Sequence, residues 1–184
     1  VSDVWGADNS VVCALRQTCL VHLLRDLEHV EKYKSPGEHW PAFAKKLRRL
    51  IGDAIRLWKR DAVPAAEYAS RRLRFDQRLQ ELIAAPWDHT DARRLIKRLR
   101  RHQGDLFTFL DEPGVPFDNN HAERAIRPAV IIRKNSQSNR SQHGAETQAI
   151  LMSVYRTLKQ RGHSPLDTIH ETLKTYLTTG HLPP

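Results

Sequence analysis

The sequence predicts a mainly α-helical chain. Apolar residues recur at three- and four-residue steps over most of its length, Pro and Gly close several of those runs, and strand signals are few. At 184 residues the chain has about the length of one domain and can bury a real core. A composition of 40% hydrophobic and 28% charged residues suits a soluble globular protein. No apolar run approaches the roughly 18 residues needed to span a bilayer, and no signal peptide opens the chain, so a cytoplasmic protein without membrane contact is expected. Cys13 and Cys19 are the only cysteines, too few for a disulfide scaffold, and are expected as reduced thiols. The chain begins at Val1 and enters "VSDVWGADN" without a leader, which points to a fragment lacking its N-terminal part.

The elements follow in order. Strand signals are confined to the residues leading into Asp3 and to "ALRQTC"; if strands form, most of their sheet lies upstream of Val1. "CLVHLLRDLEHV" places Leu20, Leu23, Leu24, Leu27 and Val30 along one helix face. From Trp40 to Trp58 a long amphipathic helix is predicted, with "KKLRR" on its wet side. Tyr68, Phe75, Leu79, Leu82 and Ile83 mark its partner, ended near Pro86. Thr90 or Asp91 should cap a third helix through "ARRLIKRLRRHQ", stopped by Gly104. Residues 38–103 are thus expected to form a helical hairpin or small bundle.

"EPGVPFDNN" reads as a turn-rich connector, after which Asn119 or Asn120 can cap a helix carrying Glu123 in its first turn. Pro128 should kink or break that helix. A further helix is expected from about Ala145 to Gln160, with Ile150, Leu151, Val154, Tyr155 and Leu158 facing inward. The last should start at Ser164 and Pro165, with Asp167 completing a capping-box-like arrangement, and end before Gly180.

Charge is unevenly spread. The formal +9 divides into basic blocks of +10 over 41–103 and +6 over 119–161, flanking a hinge of −4 over 104–118. Basic faces attract polyanions, nucleic acid above all; an Arg-rich solvated helix surface is the plainer reading of the first block.

The residues with chemical potential concentrate in "FDNNHAERAIRPAVIIRKNSQSNRS", where Glu123 is the one acidic side chain after Asp118. Glu123 is either a helix-surface charge paired with Arg127, worth a few tenths of a kcal/mol, or a metal ligand beside a phosphate path. The second reading also accounts for Asn119, Asn120, Arg124, Arg127, Arg133, Lys134, Asn135 and Arg140, because Asn amides and Arg forks suit phosphates and base edges. Asp3, at the end of a strand-like segment, is either a rigidly held ligand or a turn cap. Cys19 and His22 have a spacing that suits zinc, but no second pair follows; a buried thiol and a hydrogen-bonded core histidine are the alternative. Trp40, Trp58 and Trp87 sit at core spacing.

"SDVWGA", "RQTCLVHLLRDL" and above all "NNHAERAIRPAVIIRKNSQSNRSQHGAETQAILMSVYRTL", followed by "RGHSPL" and "LPP", give the chain a resemblance to the C-terminal part of insertion sequence 66 family transposases, bacterial DDE-type enzymes. The resemblance implies the C-terminal part of an α/β ribonuclease H-like fold with an all-helical insertion. Residues 1–37 would belong to the core, 38–103 would be the insertion, and 104–184 would hold the Glu helix and two closing helices. It also implies that Asp3 is the second catalytic Asp and Glu123 the closing Glu, both metal ligands, while Cys19 and His22 support the core.

Two Mg²⁺ ions, with Mn²⁺ as a substitute, would bind such a triad roughly 3.5–4 Å apart and activate an in-line displacement at phosphorus. The first Asp has no counterpart here, so the chain alone should be inactive or nearly so. Expected partners are DNA, as element ends and target, a second copy in a homo-oligomer when intact, and accessory proteins of the same element, at the nucleoid. A truncated, non-catalytic DNA-binding remnant that inhibits an intact enzyme is the alternative reading, and a helical interaction domain with a basic surface is a third.

Overall fold

The computed structural model describes residues 1–3, 12–34, 37–136 and 139–182. It is mainly helical and falls into two compact units, Val1–His121 and Ala122–Pro184.

In the first unit the two strand signals do not become strands among the described residues. They meet instead at one parallel bridge, Ser2 to Thr18. The Ser2 N–H donates to the Gln17 carbonyl at 2.8 Å and the Cys19 N–H to the Ser2 carbonyl at 2.7 Å. Helix α1, Leu20–Tyr33, follows and buries Leu20, Leu23, Leu27 and Val30. Helix α2, Trp40–Trp58, has the predicted bounds; Trp40, Phe43, Leu47, Leu50 and Ile51 are buried, and Lys45, Lys46, Arg48 and Arg49 are exposed. Helix α3, Ala65–Ala84, packs against α2 and buries Phe75, Leu79, Leu82 and Ile83. It ends before Pro86 because Ala85, like most residues preceding proline, is extended, with ψ 141°.

Helix α4, Thr90–Arg101, packs on α3, but neither Thr90 nor Asp91 caps it. His89 does: its Nδ1 accepts from the N–H groups of Asp91 and Ala92 at 3.2 and 3.4 Å. The ring is free to do so because it lies 5.0 Å from Trp40 and the backbone is extended. Gly104 does not stop the helix either; His102 already has, and Gly104 sits inside a 3₁₀ turn, Gln103–Asp105. Helix α5, Thr108–Asp111, is only one turn long and carries no sequence signature of its own.

The acidic hinge docks onto this bundle. Arg72 of α3 forks onto both Asp111 oxygens at 2.7 and 2.8 Å and also meets Asp76 at 2.6 Å. Burial alone would lower the Arg72 pKa, but these two carboxylates raise it above its usual value. The Tyr68 hydroxyl donates to the Leu110 carbonyl at 2.7 Å. One continuous core therefore joins α1, the α2–α4 bundle and Leu106, Phe107, Phe109 and Leu110. Trp40 is wholly buried within it, whereas Trp58 is 41% exposed, edge-on to Phe117.

In the second unit, helix α6, Asn120–Asn135, runs through Pro128 unbroken, so of the expected kink or break the break does not occur. Proline cannot donate to the carbonyl four residues earlier and crowds it, at a typical cost of about 3 kcal/mol. The carbonyl that loses its donor is that of Arg124; the next one, that of Ala125, accepts a hydrogen bond from Arg156 of the following helix. Helix α7, Gln142–Gln160, starts three residues before the expected Ala145 because the Ser141 hydroxyl accepts from the Gly144 N–H at 3.0 Å.

Its apolar stripe is not inward. Ile150, Leu151, Val154 and Tyr155 are 63, 58, 43 and 42% exposed, and Leu158 is half-buried. Helix α8, Pro165–Thr179, packs against α7; Ser164 takes the cap position without a side-chain cap bond, and Gly180 closes the helix at φ +73°.

Candidate metal and nucleic acid site

The site is built outward from the buried extended segment 16–19. On one side it is joined to Ser2, the neighbour of Asp3. On the other the Thr18 N–H donates to the Asp105 carbonyl at 2.7 Å and the Thr108 hydroxyl to the Arg16 carbonyl at 2.6 Å. Gln17, almost fully buried, locks this junction. Its amide donates to the Leu106 carbonyl at 3.0 Å and its Oε1 accepts from the Phe109 N–H at 2.9 Å. A buried amide bonded at both ends fixes the register of two segments some 90 residues apart in sequence.

Cys19 follows at the cap position of α1, buried, and its thiol donates to Asn119 Oδ1 at 3.2 Å. Leu20 adds a backbone bond to the Phe117 carbonyl at 2.9 Å. The two motifs "RQTCLVH" and "FDNNHAE" are thus in direct contact immediately before α6. Asp118 organises the helix start: it accepts from the Asn120 N–H at 3.1 Å and from the Asn120 side chain at 2.7 Å. Such a turn, from an aspartate two residues ahead, satisfies an N–H that the helix itself cannot.

Glu123 lies in the first turn of α6 and is half-buried. Steps of four and seven residues then place Arg127 and Lys134 on the same side of that helix. Arg124, Arg127, Arg133, Lys134, Asn135 and Arg140 are all exposed. Asn119 and Asn120 are half-buried and bonded to Cys19 and Asp118, so each has a structural task whatever else it does. Asn139 braces the loop before α7 by donating to Gln148 Oε1 at 2.7 Å. Asp3 is exposed, and the loop expected after it, residues 4–11, lies outside the described residues. His22 sits half-buried in the first turn of α1.

Among the described residues no three His, Cys, Asp or Glu side chains form a group able to hold a metal ion.

Sequence reasoning missed Gln17, Asp118 and His89. Asp118 was legible in principle, since Asp two residues before a helix start is a common turn signal. Gln17 was not, because nothing in a lone glutamine shows that both ends of its amide will be buried and bonded.

The model of the Transposase IS66 family matches residues 1–147, and the chain belongs to that family. It is similar to three uncharacterized proteins of Sinorhizobium fredii. To y4qI it is 42% identical over 68 residues, which is 37% of this chain and 13% of the relative. To y4jD it is 32% identical over 79 residues, 43% of this chain and 16% of the relative. To y4jO it is 27% identical over 90 residues, 49% of this chain and 28% of the relative. The aligned parts thus span well under a third of these relatives' length. No solved structure matches the chain. No helix among the described residues is long and apolar enough to cross a membrane.

Proposed function

We propose that this chain is the C-terminal part of the catalytic domain of a DDE-type transposase with a ribonuclease H-like core, an enzyme that in its intact form cuts DNA at element ends and joins them to a target. Beyond family membership, one observation carries the reading. The segment ending in Asp3 is hydrogen-bonded through Ser2 to Cys19, and the Cys19 thiol bonds Asn119, the residue before the helix that bears Glu123. A parallel bridge at Ser2 is also what the edge of a parallel-stranded core would leave here.

In this reading Asp3 and Glu123 hold divalent metal, Mg²⁺ or in its place Mn²⁺, together with an acidic residue from upstream. The metal supplies activation of the attacking oxygen and stabilisation of the leaving one. The chain's own exposed cations, Arg124, Arg127, Arg133, Lys134 and Arg140, with Asn135, neutralise and position DNA phosphates. Cys19 and His22 hold the core in register. The intact protein works as a homo-oligomer at the nucleoid, with accessory proteins of the same element.

The test uses a chain restored upstream through its first catalytic Asp. Glu123→Gln is expected to abolish strand cleavage and leave DNA affinity intact; loss of affinity instead would make Glu123 structural. If the restored wild-type chain binds DNA and cleaves none in Mg²⁺ or Mn²⁺, the protein is a DNA-binding remnant that competes with intact enzymes.

A further inference from the structure

We infer that the cleft between α2 and α3 is a second binding surface for the phosphate backbone of duplex DNA, separate from α6 and independent of metal. The cleft measures 790 Å³. Arg56 lines it from α2, Lys59 and Arg60 from the two residues just beyond that helix, and Arg71, Arg74 and Arg78 from α3, against the single carboxylate of Asp53. A smaller cleft on the same seam shares Arg78 and adds Lys46 and Arg49 with one further carboxylate, Glu81.

Ion pairing within the hairpin accounts for part of this charge only. Asp53 receives Arg78 at 2.8 Å and also Arg56, which ties the two helices together. Glu67, at one end, meets Arg71 at 2.6 Å and Arg60 at 4.0 Å. Lys59 lies 5.8 Å from the centre of the Phe117 ring and Arg74 is exposed, and neither makes an ion pair among the described residues. A hairpin held by salt bridges would match its charges; this one leaves cations converging on open space, where their field draws in an anion.

The spacing selects a polymer over a small anion. Lys46, Arg49 and Arg56 fall on one side of α2 at three- and seven-residue steps, with Lys59 and Arg60 just past its end, and Arg71, Arg74 and Arg78 follow at three- and four-residue steps on α3. From Lys46 to Arg56 the α2 stripe spans about 15 Å at 1.5 Å per residue. That length covers about four steps of a strand carrying one charge per 3.4 Å. Two such rows side by side suit a repeating polyanion, and the plainer reading of this basic block as a merely solvated face leaves the unmatched pair Lys59 and Arg74 without a role.

The experiment uses this chain, in chelator and without metal, so that failure of the catalytic reading leaves it unaffected. The probe is a mixed-sequence duplex of about 20 base pairs, titrated over a range of salt; the slope of log K against log salt should flatten by about 0.9 for each phosphate that is no longer neutralised. The double variant Lys59→Ala with Arg74→Ala is expected to flatten it by about 1.8, with helical content unchanged by circular dichroism. Lys97→Ala with Arg101→Ala, an equal charge reduction on α4, is expected to leave it unaltered. Equal shifts in both pairs, or none in the cleft pair, would overturn the inference. Acetylation of the wild-type chain gives an independent reading: bound duplex should protect Lys59 and not Lys97, and equal reactivity at Lys59 with and without DNA would also overturn it.

Discussion

The two units differ in what they do with the same kind of sequence. In Val1–His121 every apolar stripe meets another: α2 alone buries eight residues, and α1, α3, α4 and the 106–110 turn close over them. In Ala122–Pro184 the helices are of similar length and about as periodic as α3, yet none of the three has a buried residue. Periodicity thus determines that a helix forms and where its apolar side points, but not that anything covers that side. Helices with little burial draw their stability from propensity and caps, which is why Ser141, Gly180 and the Arg156 bond to Ala125 matter in the second unit.

The largest test of this contrast is truncation. Leu47→Ala, at a wholly buried position, should cost about 2–5 kcal/mol in urea unfolding. Leu151→Ala, at a position 58% exposed, should cost less than about 0.5 kcal/mol. Comparable costs at the two sites would mean the second unit is covered in solution, and the contrast would fail. Next in size is Gln17→Leu, which strips partners from the Leu106 carbonyl and the Phe109 N–H and should cost about 1–3 kcal/mol; a neutral result would remove Gln17 as the lock between the segments.

Hydrogen exchange sharpens the same contrast without mutation. Amides of α7 and α8 should exchange well before those of α2 and α3, because local opening follows burial; equal protection would refute it. The smallest effect is electrostatic. The Lys34 hydrogen bond at 2.6 Å holds the Asp91 carboxyl below its usual 3.8. A lowered folded-state pKa contributes stability that is present above 3.8 and fades as pH falls through the lower folded value. Asp91→Asn should therefore lower stability slightly near neutral pH, leave it unchanged at pH values below the folded pKa, and so flatten the acid limb of the stability profile. An identical acid limb in the variant would dismiss the pair as a contributor.

Most of the first unit was legible. Trp40–Trp58 was readable to the residue because its apolar positions recur without interruption. What escaped was contact at long range: His89 packing against Trp40, Asp111 meeting Arg72, and Cys19 reaching Asn119 depend on segments far apart in sequence. For the candidate site, residue types and their order were readable, as were the exposed cations of α6. The structural bonds of Asn119 and Asn120 were not, because an amide in a basic run looks alike whether it faces a phosphate or a buried thiol.

The proposal that Asp3 and Glu123 serve one metal site is tested most directly by iron-directed backbone cleavage. In a chain restored upstream, Fe²⁺ bound in place of Mg²⁺ and treated with peroxide should cut near residue 3 and near residue 123. Asp3→Asn should suppress both cuts together. A cut at one position only, or suppression at residue 3 with cleavage near 123 undiminished, would show that the two carboxylates do not share a metal.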